Sequence, residues 1–227
     1  MTTDKKSLPI STRIVRSLRS RSYRTNCSGW YMAPLKPSRQ QHSDEDIGKL
    51  TFQVLKDKDR SILNQWLVDN QKRYPWVYFP AEVAAADRYE HWYPCLFDED
   101  KLVGFIKLGR NFVHIHDFEG MIQLPDRVAF VYDTFIDPEY RHQGLAQMML
   151  RNTMAYLENL DYRMIFCHIE DWNEASVNAF SSVGFTRIGT VRYLRLTLLR
   201  WLIIDGHWHR PSALTGWLDS KCPEQAG

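Results

Sequence analysis

A mixed α/β domain, with strands paired in both senses, is the fold class this sequence predicts, on three observations. Val128, Ala129, Phe130, Val131 and Tyr132 form a continuous apolar run, the mark of a strand covered on both faces. From Leu145 the period changes to 3.6, with Ala146, Met149, Leu150, Thr153, Met154 and Leu157 in one stripe. Residues 164–169 are a second buried strand, and their place after a helix suits a parallel crossover into the same sheet.

The remaining elements follow along the chain. Residues 50–55 alternate enough for a first strand, after which Asp57 or Asp59 caps a helix with Ile62, Leu63, Trp66 and Leu67 on one face. A short second helix is expected over residues 81–89. The β-rich runs 92–97 and 102–108, split by a polar turn, read as an antiparallel hairpin that residues 112–115 extend. Asp171 with Glu174 three residues later is a capping-box pattern, opening a helix with Ala179, Phe180 and Val183 inward and Gly184 at its end. Residues 191–204 supply one or two final strands.

Three segments are expected. Residues 1–47 read as a basic, poorly ordered N-terminal extension: positions 1–40 hold nine Lys/Arg against Asp4 alone. That acid-poor start also has the composition of an organelle transit peptide. Residues 48–205 form the domain, within the reach of one core in a chain of 227 residues. Residues 206–227, with Trp208, Pro211 and Trp217, form a tail that packs on the domain or is disordered.

Cys27, Cys95, Cys167 and Cys222 are scattered without a Cys-x-x-Cys pair, so neither a disulfide framework nor a zinc site is indicated. His207 and His209 share a parity but lack a third ligand, and no metal is expected. No apolar run approaches the roughly 18–20 residues of a membrane span. A reducing, cytoplasmic setting is the expectation, with no membrane partner.

Arg141-His142-Gln143-Gly144-Leu145-Ala146 joins the central strand to the helix. Such a loop, ending in small residues and opening a helix, aims several backbone N–H groups at one spot, where an anion meets the positive end of the helix dipole. No Lys-Ser/Thr follows, which excludes a P-loop, and there is no triple-glycine dinucleotide fingerprint. About thirty residues later comes Asn173-x-x-Ser176-x-x-x-Phe180-x-x-x-Gly184-Phe185.

These two motifs, in this order and on these elements, resemble the GCN5-related N-acetyltransferase (GNAT) superfamily, most strongly from Val128 to Phe185. The resemblance implies an α/β fold with a GNAT-type mixed, mostly antiparallel sheet, two splayed central parallel strands and flanking helices. It implies that Arg141, His142, Gln143, Gly144, Leu145 and Ala146 hold the diphosphate of coenzyme A. It places the pantetheine arm along Thr134, Phe135 and Ile136 as an added strand, with Asn173, Ser176 and Phe180 on the other side. Arg141 contributes a charge or shapes the turn; Asn173 touches the arm or only caps its helix.

The implied reaction is direct attack of an amine on the carbonyl of acetyl-CoA, or another acyl-CoA, without a covalent enzyme intermediate. Cys167 is then a core residue. Many relatives carry a proton-donating Tyr where this chain has Phe180, and several carry a Glu where Phe130 and Tyr132 stand. Tyr132 and Asp133 are the candidate catalytic residues here, although alternation turns Asp133 to the opposite face unless a bulge intervenes. Glu170 and Asp171 recruit a cationic acceptor, relay a proton, or are capping and surface charges; His168 is nearer the site by sequence but reads as a structural strand residue, and Tyr193 is a possible donor. The acceptor is a small-molecule or peptide amine, with Trp76, Tyr78, Phe79, Trp92 and Tyr93 as candidate pocket aromatics. Two alternatives stand: a non-catalytic acyl-CoA-binding regulatory protein, and an acyltransferase whose basic arm grips nucleic acid. Monomer and homodimer are both open.

Overall fold

The computed structural model describes residues 23–36, 49–56, 60–70, 72–74, 90–115, 120–196 and 199–222. The helix expected over 81–89, the capping residues Asp57 and Asp59, and Trp76, Tyr78 and Phe79 lie outside the described residues.

In chain order the strands are β1 (Tyr23–Pro34), β2 (Leu50–Lys56), β3 (Glu90–Asp98), β4 (Lys101–Arg110), β5 (Phe112–Ile115), β6 (Gly120–Gln123), β7 (Val128–Ile136), β8 (Met164–Glu170), β9 (Thr186–Leu196), β10 (Leu199–Ile204) and β11 (His207–His209). The helices are α1 (Arg60–Asn70), α2 (Leu145–Asn159), α3 (Glu174–Ser182) and α4 (Ala213–Asp219). One nine-stranded sheet runs β11-β10-β9-β1-β8-β7-β4-β3-β2, and β5 and β6 pair separately. Its one parallel pair among the described strands is β7 with β8, the crossover made by α2. This is the mostly antiparallel mixed sheet that the two motifs implied.

The first correction concerns β1. The composition put residues 1–47 in an extension, yet Tyr23–Pro34 is an interior strand, antiparallel to β8 on one side and β9 on the other. Its alternation feeds both faces: Trp30 is buried beside Phe130 and Phe166, whereas Tyr31 and Ala33 join the core on the other side. A strand covered on both faces needs only a short apolar run. Here that run is Gly29 to Ala33, preceded by polar residues that disguise it.

On one face, Met148, Met149 and Leu150 of α2 and Phe180 of α3 cover Val131, Ile165, Cys167 and Ile169. On the other face, α4 places Leu214 and Leu218 against Trp30 and Tyr193, and α1 places Leu63 over Tyr93, Phe105 and Phe135. Residues from 206 onward thus pack on the domain as far as they are described. Ile62 is an exception to the stripe expected on α1, since it is exposed. Residues 112–115 do not extend the hairpin; they pair with β6 in the small sheet. No helix among the described residues is long and apolar enough to cross a membrane.

Candidate active site

The parallel ladder between β7 and β8 runs from Val128↔Met164 to Val131↔Cys167 and ends there. Beyond it, Tyr132 to Ile136 and His168 to Glu170 face a gap in the middle of the sheet. The cause on β7 is local. Its pairing with β4 shifts so that Lys107 stands opposite Asp133 and Leu108 opposite Val131, which leaves Tyr132 as the extra residue of a bulge.

The bulge decides where Asp133 points. Simple alternation would oppose it to Tyr132, but Lys107 Nζ lies 2.8 Å from Asp133 Oδ2 and also 5.5 Å from the centre of the Tyr132 ring. Both candidate catalytic residues therefore adjoin one lysine, on the face away from α2. Lys107 is 1% exposed and Asp133 54%. The Tyr132 hydroxyl accepts a hydrogen bond from the backbone N–H of His114 at 3.0 Å. A Cβ on Gly109 would stand 2.5 Å from the Tyr132 ring, so that glycine leaves the space in which the ring sits.

Asp137 N–H donates to Val103 O at 2.8 Å across the β4–β7 pair. In an antiparallel ladder, residues alternate in the side to which they present both N–H and C=O. Phe135 therefore bonds toward β4 with Asp137, while Thr134 presents both its backbone groups, and Ile136 its N–H, to the gap. Of the three residues expected along the pantetheine arm, two offer backbone there. Phe135 instead supplies a buried ring, 5.2 Å from Phe105 and 5.0 Å from Trp66.

A tight turn leads from β7 to the loop. Asp137 accepts from Glu139 N–H at 3.1 Å, and Arg141 Nε donates to Ile136 O at 3.0 Å. Of the two roles open to Arg141, this bond supplies turn-shaping. Gly144 then takes a left-handed φ of +75° as the residue before α2, and a Cβ there would meet nothing within 4 Å. Met148 N–H is bonded back to Gly144 O at 3.1 Å. The amides of Leu145, Ala146 and Gln147 precede that first helical bond and face outward at the positive end of the helix. His142, Gln143 and Gly144 are exposed beside them. This is a cradle that fits a diphosphate.

The turn is tied to the β3–β4 hairpin. Tyr140 donates to Asp98 Oδ2 at 2.6 Å, and that hydrogen bond, ahead of burial and nearby carboxylates, pushes the phenol up to about 12. The folded state thus holds this proton more tightly than an ordinary tyrosine near 10. The associated stability is fully present below about pH 10 and is lost as pH rises through about 12. Tyr140→Phe should melt a few degrees below wild type at pH 8, with the gap closing between those two values. A pH series of thermal melts checks this; a constant gap would reject the link.

Across the gap, Asn173 accepts from Ser176 N–H at 3.2 Å and is the N-cap of α3. This corrects the capping box proposed for Asp171, which lies two residues too early and instead binds Arg187 Nη2 at 3.1 Å. Glu170 accepts from Asn26 Nδ2 at 3.3 Å. Phe180 is 4% exposed, with its ring 4.9 Å from Phe185 at 75°. Burial pushes the Cys167 thiol well up, in keeping with a core residue rather than a nucleophile. Tyr193 is also fully buried. Among the described residues, no group of three or more His, Cys, Asp and Glu side chains converges as a metal site.

Two further residues border the gap: Lys107, which the sequence does not single out, and His168, which the sequence puts near the site but reads as structural. Lys107 sits in an otherwise apolar run, which was its only signal. His168 is the first residue of β8 past the parallel ladder, stacked 5.8 Å from both Trp30 and Phe130.

The sequence profile of the acetyltransferase (GNAT) family matches residues 54–185, more than half of the chain. The chain belongs to that family. A search of curated proteins returned no match. Among solved structures, an aminoglycoside acetyltransferase from an uncultured soil metagenomic sample is 14% identical, over 61% of this chain and 90% of its own, with a TM-score of 0.44. An acetyltransferase of the GNAT family from Novosphingobium aromaticivorans is 14% identical over 77% of this chain and 66% of its own, at 0.48. A glucosamine N-acetyltransferase region of a fungal multi-domain β-N-acetylglucosaminidase is 14% identical over 86% of this chain and 24% of that one, at 0.48.

Proposed function

We propose that this chain is an acyl-CoA-dependent N-acyltransferase that moves acetyl from acetyl-CoA to a primary amine of a small molecule or peptide. The observation that carries the reading is the exposed left-handed Gly144 turn, which opens α2 just beyond the point where β7 and β8 part. The helix-end amides and the loop residues 141–146 hold the diphosphate. Thr134 and Ile136 offer backbone partners to the pantetheine arm, with Asn173, Ser176 and Phe180 along its other side. The thioester then reaches the gap, where a strand amide can polarise its carbonyl.

The chemistry needs a neutral amine, an electrophilic carbonyl and a proton for the departing sulfur. Tyr132 is the proposed proton donor to that sulfur. Asp133, half exposed beside the gap, attracts the cationic acceptor and, with Lys107, holds the bulge in place. A cytoplasmic setting suits four cysteines, none of them paired.

Calorimetry with acetyl-CoA, followed by release of free thiol over a panel of alkylamines, amino sugars, lysine peptides and tRNA, tests the proposal. Saturable binding and amine-dependent thiol release are expected. Binding without release across the panel would favour the regulatory alternative. No binding at about millimolar donor, a free energy weaker than about −4 kcal/mol, would remove the reading.

A further inference from the structure

The face opposite α2 carries a row of rings across the gap. His168 of β8 lies in register with Trp30 of β1, their rings 5.8 Å apart at 27°. On its other side the Phe130 ring of β7 lies 5.8 Å away at 28°. The row continues from Phe130 to Tyr132 at 5.4 Å, and from Tyr132 to His91 of β3 at 5.6 Å. Two ring neighbours of His168, Trp30 and Phe130, are fully buried, so packing constrains its ring plane on two sides. Along β8, the preceding residue Cys167 is the last one paired with β7, and His168 is the first to border the gap. It is half-buried, whereas Phe166, one step back on the same face, is sealed.

The carboxylates nearby are each held by another side chain. Asp133 Oδ2 is committed to the Lys107 ammonium at 2.8 Å. Glu170 holds Asn26 at 3.3 Å, and Asp171 holds Arg187 at 3.1 Å, each with a carboxylate oxygen. An imidazole is also the side chain whose ordinary proton affinity suits transfer near neutral pH. Among the described residues, charged or titratable groups on this face include Glu170 on β8, Tyr193 on β9, Tyr132 and Asp133 on β7, Lys107 on β4, and His91, Tyr93 and Cys95 on β3.

We infer that His168 is the proton acceptor for the attacking amine, resting on the N-acyltransferase reading above. As the amine nitrogen forms its bond to the acyl carbon, His168 takes one N–H proton, directly or through one water. The carbon–sulfur bond breaks, the electron pair goes to sulfur, and Tyr132 protonates the thiolate. Solvent then returns the proton from His168 to Tyr132, and both residues end as they began. The products are the amide and the free thiol.

Two readouts test this in the full-length protein. The ring-carbon proton of His168, identified by its absence in His168→Gln, should shift in an NMR titration with acetyl-CoA and saturate at the calorimetric Kd. A resonance that does not move while acetyl-CoA binds would overturn the proposal without any acceptor being known. Binding failure in the wild type would instead overturn the parent reading. With the most active amine of the panel, His168→Gln should lose about 100-fold or more in kcat/KM and the acidic limb of its pH profile. Its acetyl-CoA Kd should remain within about threefold of wild type, a change under 1 kcal/mol. A fall in rate below about threefold, or an acidic limb that survives the substitution, would reject the role. Should His168→Gln fold poorly, His168→Asn carries the same comparison.

Discussion

Replacing Gly144 by Glu is expected to weaken acetyl-CoA binding by about 100-fold or more. Two effects separate in the series Gly144→Ala and Gly144→Glu. The residue holds φ at +75°, so any side chain with a Cβ meets left-handed strain of about 1–2 kcal/mol. Ala carries that cost alone and should lower the melting temperature with a modest loss of affinity. Glu adds a carboxylate where the helix-end amides converge. At about 4 Å from a phosphate, with an effective dielectric near 20, that repulsion is about 4 kcal/mol, and salt screening leaves a fraction of it. Calorimetry on both variants makes the comparison. If Glu binds as well as Ala, the loop does not hold an anion.

Removing residues 1–36 is expected to abolish cooperative folding, whereas removing residues 1–22 should leave it intact. The longer deletion takes out β1, with Trp30 at 0% and Tyr31 at 5% exposure, and opens the hydrogen-bonding edges of both β8 and β9. A domain whose total stability is about 5–15 kcal/mol does not survive the loss of an interior strand. Far-UV thermal melts of the two truncations decide the matter. A normal melt for the longer deletion would show that β1 does not belong in the sheet. The shorter deletion also removes most of the basic arm without touching a described element. Salt-sensitive retention of RNA should disappear with it if that arm binds nucleic acid.

Several parts of the site were legible because their signals are local. The 3.6 period of α2, the apolar run of β7 and the small residues of the loop each report on neighbours within a few positions. Gly144 is one of the small residues that end the loop, and its left-handed φ is what a residue without a Cβ permits. The capping of α3 was misassigned by two residues because Asp171 and Asn173 are both good caps. The choice fell to Asn173 once Arg187, from another strand, engaged Asp171. The bulge at Tyr132 was named only as a condition, since nothing in the β7 sequence compels it. It arises from register against β4, where Lys107 meets Asp133.

The placement of β1 was hidden for a related reason. Nine basic residues in the first forty describe the average of that segment, while the strand depends on a few buried positions within it. Asn26 meets Glu170 at a separation of 144 residues, and Trp30 reaches His168 across the same pairing. Such contacts close long loops, and loop-closure cost grows only slowly with length, so sequence distance gives little indication of which strands become neighbours.

Read alone, the chain points to its family: an apolar strand, a turn of small residues and a helix are local patterns, written in consecutive residues. Tertiary structure decides the rest. It inserts β1 between β8 and β9, turns Asp133 to Lys107 through the bulge, and stacks His168 between rings from two other strands. Those arrangements depend on burial and register shared between distant segments, which no single segment encodes.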